Sequence, residues 1–328
     1  MTGRQNCRTI LTFILSFVVL ALYSCSNSES DNSQSVPNGL NVLWVGTSIP
    51  EGCSYPAYAC RSIGAKCINK SVGASFLCQY DVDEKGIEYA GLSLTETIAE
   101  KEERYVKYVK EGKLSVGKML RFRNSSFENL VLPYVKWADV IVIDHGYNDD
   151  ISLYKLYEAR NTIADTDELW NSMDRSNYIG AYNYLIAEIR KIKPDVKIVV
   201  GGYFQNSCTL GFAVRGKYVQ YVTEDICRHY KLPILDVWNY VDIPEGYKPH
   251  SENYIDSINS VYKTNFTKWM PNERGEISYF QIFCPDKVHP FSDPTGTSNK
   301  ILDAAVSELL KKRIAEMGVQ PSNNKKDF

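Results

Sequence analysis

Four short segments contain residue types suited to acyl transfer. Gly46-Thr47-Ser48 ends the apolar run "NVLWV", and Gly73 lies in "KSVGAS". Gly146-Tyr147-Asn148-Asp149 follows "VIVIDH", and Asp286-Lys287-Val288-His289 precedes the last amphipathic segment. A serine hydroxyl is a weak nucleophile until a base takes its proton and N–H donors stabilise the oxyanion. The histidines are His145, His229, His250 and His289. Asp286 lies three residues before His289. In a loop that spacing lets the carboxylate reach one ring nitrogen while the other faces outward, which fixes the tautomer and stabilises the imidazolium. Pro285 and Pro290 stiffen the segment. Three donors are available: the backbone N–H of Ser48 if a helix starts there, the unhindered N–H of Gly73, and the side-chain amide of Asn148.

Each residue taken singly has a plainer role. Ser48 reads as a helix cap, Gly73 as a turn glycine, Asn148 and Asp149 as loop residues, and Asp286 as a turn former. His145 is the rival base, but it lacks an acid at loop spacing and reads as a packed, hydrogen-bonded histidine at a strand end. His229 falls in a helix's last turn, where a cation suits the dipole. His250 is uninformative. The order of the four segments is what lifts them above these readings.

The elements that must position them alternate. Strands are expected over "NVLWVG", "KCINKSVG" (weaker, ending at Gly73), Val140–Asp144, "DVKIVVGGYF" and "PILDVWNYV". The first is nearly continuous in apolar residues, as buried parallel strands are. Helices are expected over "YPAYACRSIGA", "YIGAYNYLIAEIRKIKP", "GKYVQYVTEDICRHYKL" and "SNKILDAAVSELLKKRIAEMG". The charged helix "LTETIAEKEERYVKYVKEG" reads as a surface insertion, with "EKEERYVKYVKEGK" as a solvated face. Residues 243–283 form a long stretch rich in aromatic residues, which either stack on sugars or pack the loop onto the domain. About five strands alternating with helices imply a three-layer parallel α/β fold. In such sheets ligands bind beyond the carboxyl ends of the strands, where Ser48, Gly73 and Asn148 fall.

The four blocks in this order resemble the SGNH/GDSL hydrolase superfamily, over roughly residues 40 to 315. The resemblance implies a flavodoxin-like α/β/α fold and ester hydrolysis without a metal or organic cofactor. Carried onto this chain, it makes Ser48 the nucleophile, His289 the base and Asp286 its orienting acid. Ser48, Gly73 and Asn148 then form the oxyanion hole. Thr47 stands where the family carries an acidic residue, a departure that leaves room for an unusual substrate preference.

The N-terminus reads as a targeting segment. Arg4 and Arg8 precede "LTFILSFVVLAL", an apolar core of about a dozen residues against the roughly 20 a spanning helix needs. "LYSC" then resembles a bacterial lipoprotein signal with Cys25 as the lipidated residue; the alternative is an ordinary cleaved secretion signal. Residues 1–25 are therefore expected to be a signal peptide and residues 26–39 a polar tether. The hydrolase domain follows over 40–318, with insertions near 80–135 and 243–283, and a tail over 319–328. The expected location is the outer membrane of a bacterium, on its periplasmic or cell-surface face.

The net charge is −2, and loss of Arg4 and Arg8 with the signal moves it to −4, with 35 basic against 39 acidic residues. Such a chain offers no basic field for nucleic acid. Beyond Cys7 and Cys25, Cys53, Cys60, Cys67, Cys78, Cys208, Cys227 and Cys284 are an odd set without a CxxC pair or Cys/His metal spacing. Most read as small buried hydrophobes.

The expected protein is an exported, lipid-anchored serine esterase acting on acylated small molecules or glycans. Tethered members of the resembled superfamily make carbohydrate O-acetyl esters the leading substrate class. A lipase or small-ester hydrolase, an O-acetyltransferase and a non-catalytic glycan-binding lipoprotein are the alternatives.

Overall fold

The computed structural model describes residues 36–149, 167–201, 210–237, 289–290 and 296–322. Five strands form one sheet: β1 (Asn41–Gly46), β2 (Lys66–Asn69), β3 (Val140–Asp144), β4 (Lys197–Gly201) and β5 (Ile234–Leu235). Their order is β2-β1-β3-β4-β5 and every pairing is parallel. That is the flavodoxin-like doubly wound order, whose switch point lies between β1 and β3.

The sheet is buried on both faces because successive side chains of its apolar runs point to opposite sides. Leu43 and Val45 of β1, Ile141 and Ile143 of β3, and Ile198 and Val200 of β4 enter one core. Helix α5 (Tyr178–Ile192) covers that core, and the far end of α6 (Leu210–Tyr230) adds Val219, Val222 and Ile226 to it. Val42, Trp44, Val140, Val142 and Val199 enter the other core. There they meet α2 (Tyr55–Ser62), which follows the short helix α1 (Ser48–Gly52), and the closing helix α7 (Thr297–Met317). Ser54 at the start of α2 donates to the Asp303 carboxylate of α7 at 2.9 Å, tying the two helices together. The start of β1 is pinned separately: the Asn41 N–H donates to Asp139 at 2.9 Å and its side-chain amide to the Trp137 carbonyl at 3.1 Å.

Three expectations are corrected. The second strand is regular over Lys66–Asn69 rather than to Gly73, although the bonds from Lys70 N–H to the Trp44 carbonyl at 2.7 Å and from Val72 N–H to the Gly46 carbonyl at 2.9 Å carry its alignment with β1 on to the glycine turn. The fifth strand pairs over two residues only.

The third correction concerns the insertion. Its helix α3 (Ile98–Lys110) is capped by a reciprocal Thr97–Glu100 pair, with Thr97 N–H to Glu100 Oε2 at 2.8 Å. A further helix, α4 (Val116–Asn124), packs on it through the Tyr105 and Phe122 rings, 5.1 Å apart. Lys101, expected on a solvated face, is fully buried and donates to the Ser93 and Phe122 carbonyls at 2.8 Å and to Ser125 Oγ at 3.0 Å. Desolvation pushes its ammonium down to about 7. Of α3 only Lys101 and Tyr105 are buried, and Glu102, Glu103, Lys107 and Lys110 stay exposed as expected, while Tyr105 joins Met119 and Phe122 of α4 in the same cluster as β1 and β3.

Candidate active site

β1 runs buried to Gly46 and then turns sharply into α1. A Cβ at Gly46 would lie 2.4 Å from the Pro50 ring and 2.6 Å from the Asp144 carbonyl, so only glycine fits beneath this turn. Thr47 takes the N-cap position in an extended conformation and is buried, but its hydroxyl makes no capping bond. Ser48, rather than capping α1, is its first residue, at the carboxyl edge of β1.

His289 Nε2 lies 3.0 Å from Ser48 Oγ, across 241 residues of chain. For Nε2 to accept the serine proton, Nδ1 must carry the imidazole's hydrogen. The structure thus brings together the two residues expected to be nucleophile and base. Asp286 lies outside the described residues, as do Cys25 and His250.

Gly73 comes to the same place. A Cβ on it would be 3.7 Å from Ser48 Cβ, 2.7 Å from Glu51 Oε2 and 3.4 Å from Arg121 Nη2. It occupies a turn closed by Ser75 N–H to the Val72 carbonyl at 3.1 Å. The turn hangs from Gly46, whose carbonyl accepts from Val72 N–H at 2.9 Å and from Ser75 Oγ at 3.1 Å. The residue two before Ser48 therefore fixes the glycine turn.

Asn148 lies in a 3₁₀ turn, Tyr147–Asp149, just past β3. Its side-chain amide donates to the Ser75 carbonyl at 2.8 Å, so one of its two N–H bonds is engaged with the glycine turn. Asp149 is fully buried and accepts from Leu77 N–H at 3.0 Å and Cys78 N–H at 2.9 Å. Burial pushes its carboxyl up and these backbone bonds oppose the shift. Lys85 closes the group from outside, donating to the Asn148 carbonyl at 2.7 Å. The third segment thus grips the second at consecutive points.

His145 is buried, and its Nδ1 has no hydrogen-bond partner among the described residues. The expectation of a hydrogen-bonded side chain is corrected: its ring is held by packing, and the bond made here is from Tyr178 OH to the His145 carbonyl at 3.1 Å. Burial pushes the imidazole down to about 3, so it is neutral at ordinary pH. His229 lies at the end of α6, where its ring stacks on Trp170 at 4.7 Å.

A second group at this edge reads in the sequence as no more than a strand-end carboxylate. Asp144, the last residue of β3, pairs with Gly46 in register. Its carboxylate accepts from Tyr55 OH at 2.7 Å and Trp44 Nε1 at 3.1 Å. Burial pushes the carboxyl up to about 6, and the two donors oppose that shift. It faces a small cavity shared with Gly201, Leu235, Leu302 and Val306. Arg121 was passed over: it reaches from α4 to donate to the Gly73 carbonyl at 2.5 Å. A helix surface in a sequence carries no sign of a carbonyl 48 residues away.

Among the described residues no group of three His, Cys, Asp or Glu side chains is placed to hold a metal ion. Among the described residues Cys53, Cys60, Cys67, Cys78 and Cys227 form no disulfide with one another, and all but the half-buried Cys67 are buried.

No family model matches the chain, and no curated protein matches it. Among solved structures, an acetylxylan esterase from Geobacillus stearothermophilus is similar at a TM-score of 0.41 and 13% identity, covering 86% of this chain and 96% of that one. A putative GDSL-like lipase from Parabacteroides merdae reaches 0.42 at 10% identity, covering 84% and 98%. A lipase from a goat rumen metagenome reaches 0.39 at 13%, covering 84% and 97%. The assignment of the fold rests on the strand order and register of this chain.

Proposed function

We propose that this chain is a serine esterase of the SGNH type, acting through an acyl-enzyme on Ser48. The observation that carries the reading is the 3.0 Å approach of His289 Nε2 to Ser48 Oγ. In the proposed cycle Ser48 Oγ attacks the ester carbonyl as His289 takes its proton. The oxyanion forms against the Ser48 and Gly73 N–H groups and the Asn148 amide. Collapse expels the alcohol, which receives the proton from His289. Water, deprotonated by His289, then attacks the acyl-enzyme and releases the carboxylic acid and free Ser48. Asp286 is assigned the part of orienting His289.

The proposed substrates are O-acetylated glycans, and the proposed location is outside the cytoplasm, with Cys25 carrying a lipid anchor. Turnover on a panel of acetylated polysaccharides and of aryl esters with lengthening acyl chains tests the substrate class. Acetate release from glycans, with rates falling as the acyl chain grows, is the expected result. Preference for long acyl chains would replace it with the lipase reading. Fatty-acid labelling that Cys25→Ala abolishes is the expected result for the anchor, and unlabelled wild-type protein would remove it.

A further inference from the structure

The turn that presents Gly73 is strained at its third position. Ser75 N–H closes it onto the Val72 carbonyl at 3.1 Å, and Ala74 has φ +61°. Gly73 itself is not in the left-handed region. This combination defines a type II turn, in which the third position favours glycine and a Cβ is disfavoured. Types I and II differ by a flip of the central peptide, with the two flanking dihedrals changing by roughly 150–170°. The orientation of the Gly73–Ala74 peptide is therefore the soft variable of the turn.

Among the described residues, the backbone contacts and the Asn148 bond hold the ends of the turn and not that peptide. Gly46 holds Val72 and Ser75, and Asn148 holds the Ser75 carbonyl. Among the described residues the Gly73 carbonyl is gripped by Arg121, at 2.5 Å. A charged guanidinium donor is among the stronger hydrogen-bonding partners a carbonyl can have. Arg121 is itself well placed to hold a fixed position. Its neighbour Phe122 is fully buried, packs edge-on to Tyr105, and fills the space above Gly91, where any Cβ would lie 2.2 Å from the ring. Register slippage of α4 is blocked by that ring, so the guanidinium reaches the turn from a rigid base.

We infer that Arg121 is a positioning residue for the esterase site, anchoring the centre of the type II turn through the Gly73 carbonyl and so holding Gly73 beside Ser48. The inference rests on the proposed esterase reading. Removing the guanidinium releases the Gly73 carbonyl and lets Ala74 leave the left-handed region, so the turn that carries the Gly73 N–H loses the anchor at its centre and its fixed place beside Ser48. The loss falls on the transition state, where oxyanion donors act, rather than on substrate binding.

The test is aryl acetate kinetics on the full chain carrying Arg121→Met, which keeps the apolar stem. A fall in kcat on the order of 100-fold, with KM changed little, is expected. Adding Ala74→Gly to that variant removes the strain that drives the flip, and is expected to restore at least about tenfold of the lost kcat. Wild-type kcat in Arg121→Met, a loss confined to KM, or no recovery in the double variant would each overturn the inference while leaving the esterase reading standing. Absence of turnover in the wild type would overturn both.

Discussion

The carboxylate of Asp149 accepts the backbone N–H of Cys78 at 2.9 Å, joining two loops 71 residues apart in sequence. Leu77 N–H donates to the same group at 3.0 Å. The segment after β3 therefore fixes the path of the chain leaving Gly73, and Asn148 is held against Ser75 by the same arrangement. Asp149→Ala leaves two buried N–H groups unsatisfied and is expected to cost about 3 kcal/mol of stability, with a loss of kcat as the glycine turn loosens. Asp149→Asn keeps one acceptor oxygen and is expected to cost less. Urea unfolding of both variants checks the order, and equal stabilities for Ala, Asn and wild type would contradict it.

Gly46 sits where β1, α1 and the end of β3 converge. An added methyl group meets the Pro50 ring and the Asp144 backbone oxygen, neither of which can rotate away. Gly46→Ala is expected to destabilise the fold by about 1–3 kcal/mol and to lower esterase activity by displacing Ser48. Unchanged unfolding and unchanged turnover would show that the turn has slack the structure does not display.

Asp144 gives the stability a pH signature. Burial raises its carboxyl from the ordinary 3.8 to about 6, so between those values the folded chain holds a proton that the unfolded chain has released. This group's contribution is greatest below about pH 4 and is lost as pH rises through about 6. Asp144→Asn removes the titration while keeping an acceptor for Tyr55 and Trp44. The difference in stability between the variant and wild type is expected to shift in favour of the variant as pH rises across this window. Thermal unfolding at a series of pH values reads that shift, and parallel curves would refute it.

Much of the fold was legible because β1, β3 and β4 are runs of apolar residues that end at glycine or at polar residues on the sheet's carboxyl edge. β2 was read too long, since its half-exposed residues lack the apolar continuity that marks the central strands. Lys101 reads as part of a solvated face because charges in a sequence do not show their partners. Lys101 is buried only because two carbonyls and Ser125 meet its ammonium. Arg121 was passed over for the same reason, its acceptor being a backbone oxygen. Ser48, Gly73, Asn148 and His289 were legible because each sits in a short block with a recognisable neighbour. Asp144 and Asp149 read as ordinary strand-end and loop carboxylates, and their donors on Tyr55, Trp44, Leu77 and Cys78 emerge only from the packing.

The proposed function stands on acylation of Ser48 during turnover. Peptide mass spectrometry after brief exposure to an aryl acetate, alongside release of the phenol, tests it most directly. An acetyl group is expected on Ser48 of the wild type, and neither adduct nor turnover in Ser48→Ala with its fold intact. Phenol release by Ser48→Ala at the wild-type rate would contradict it.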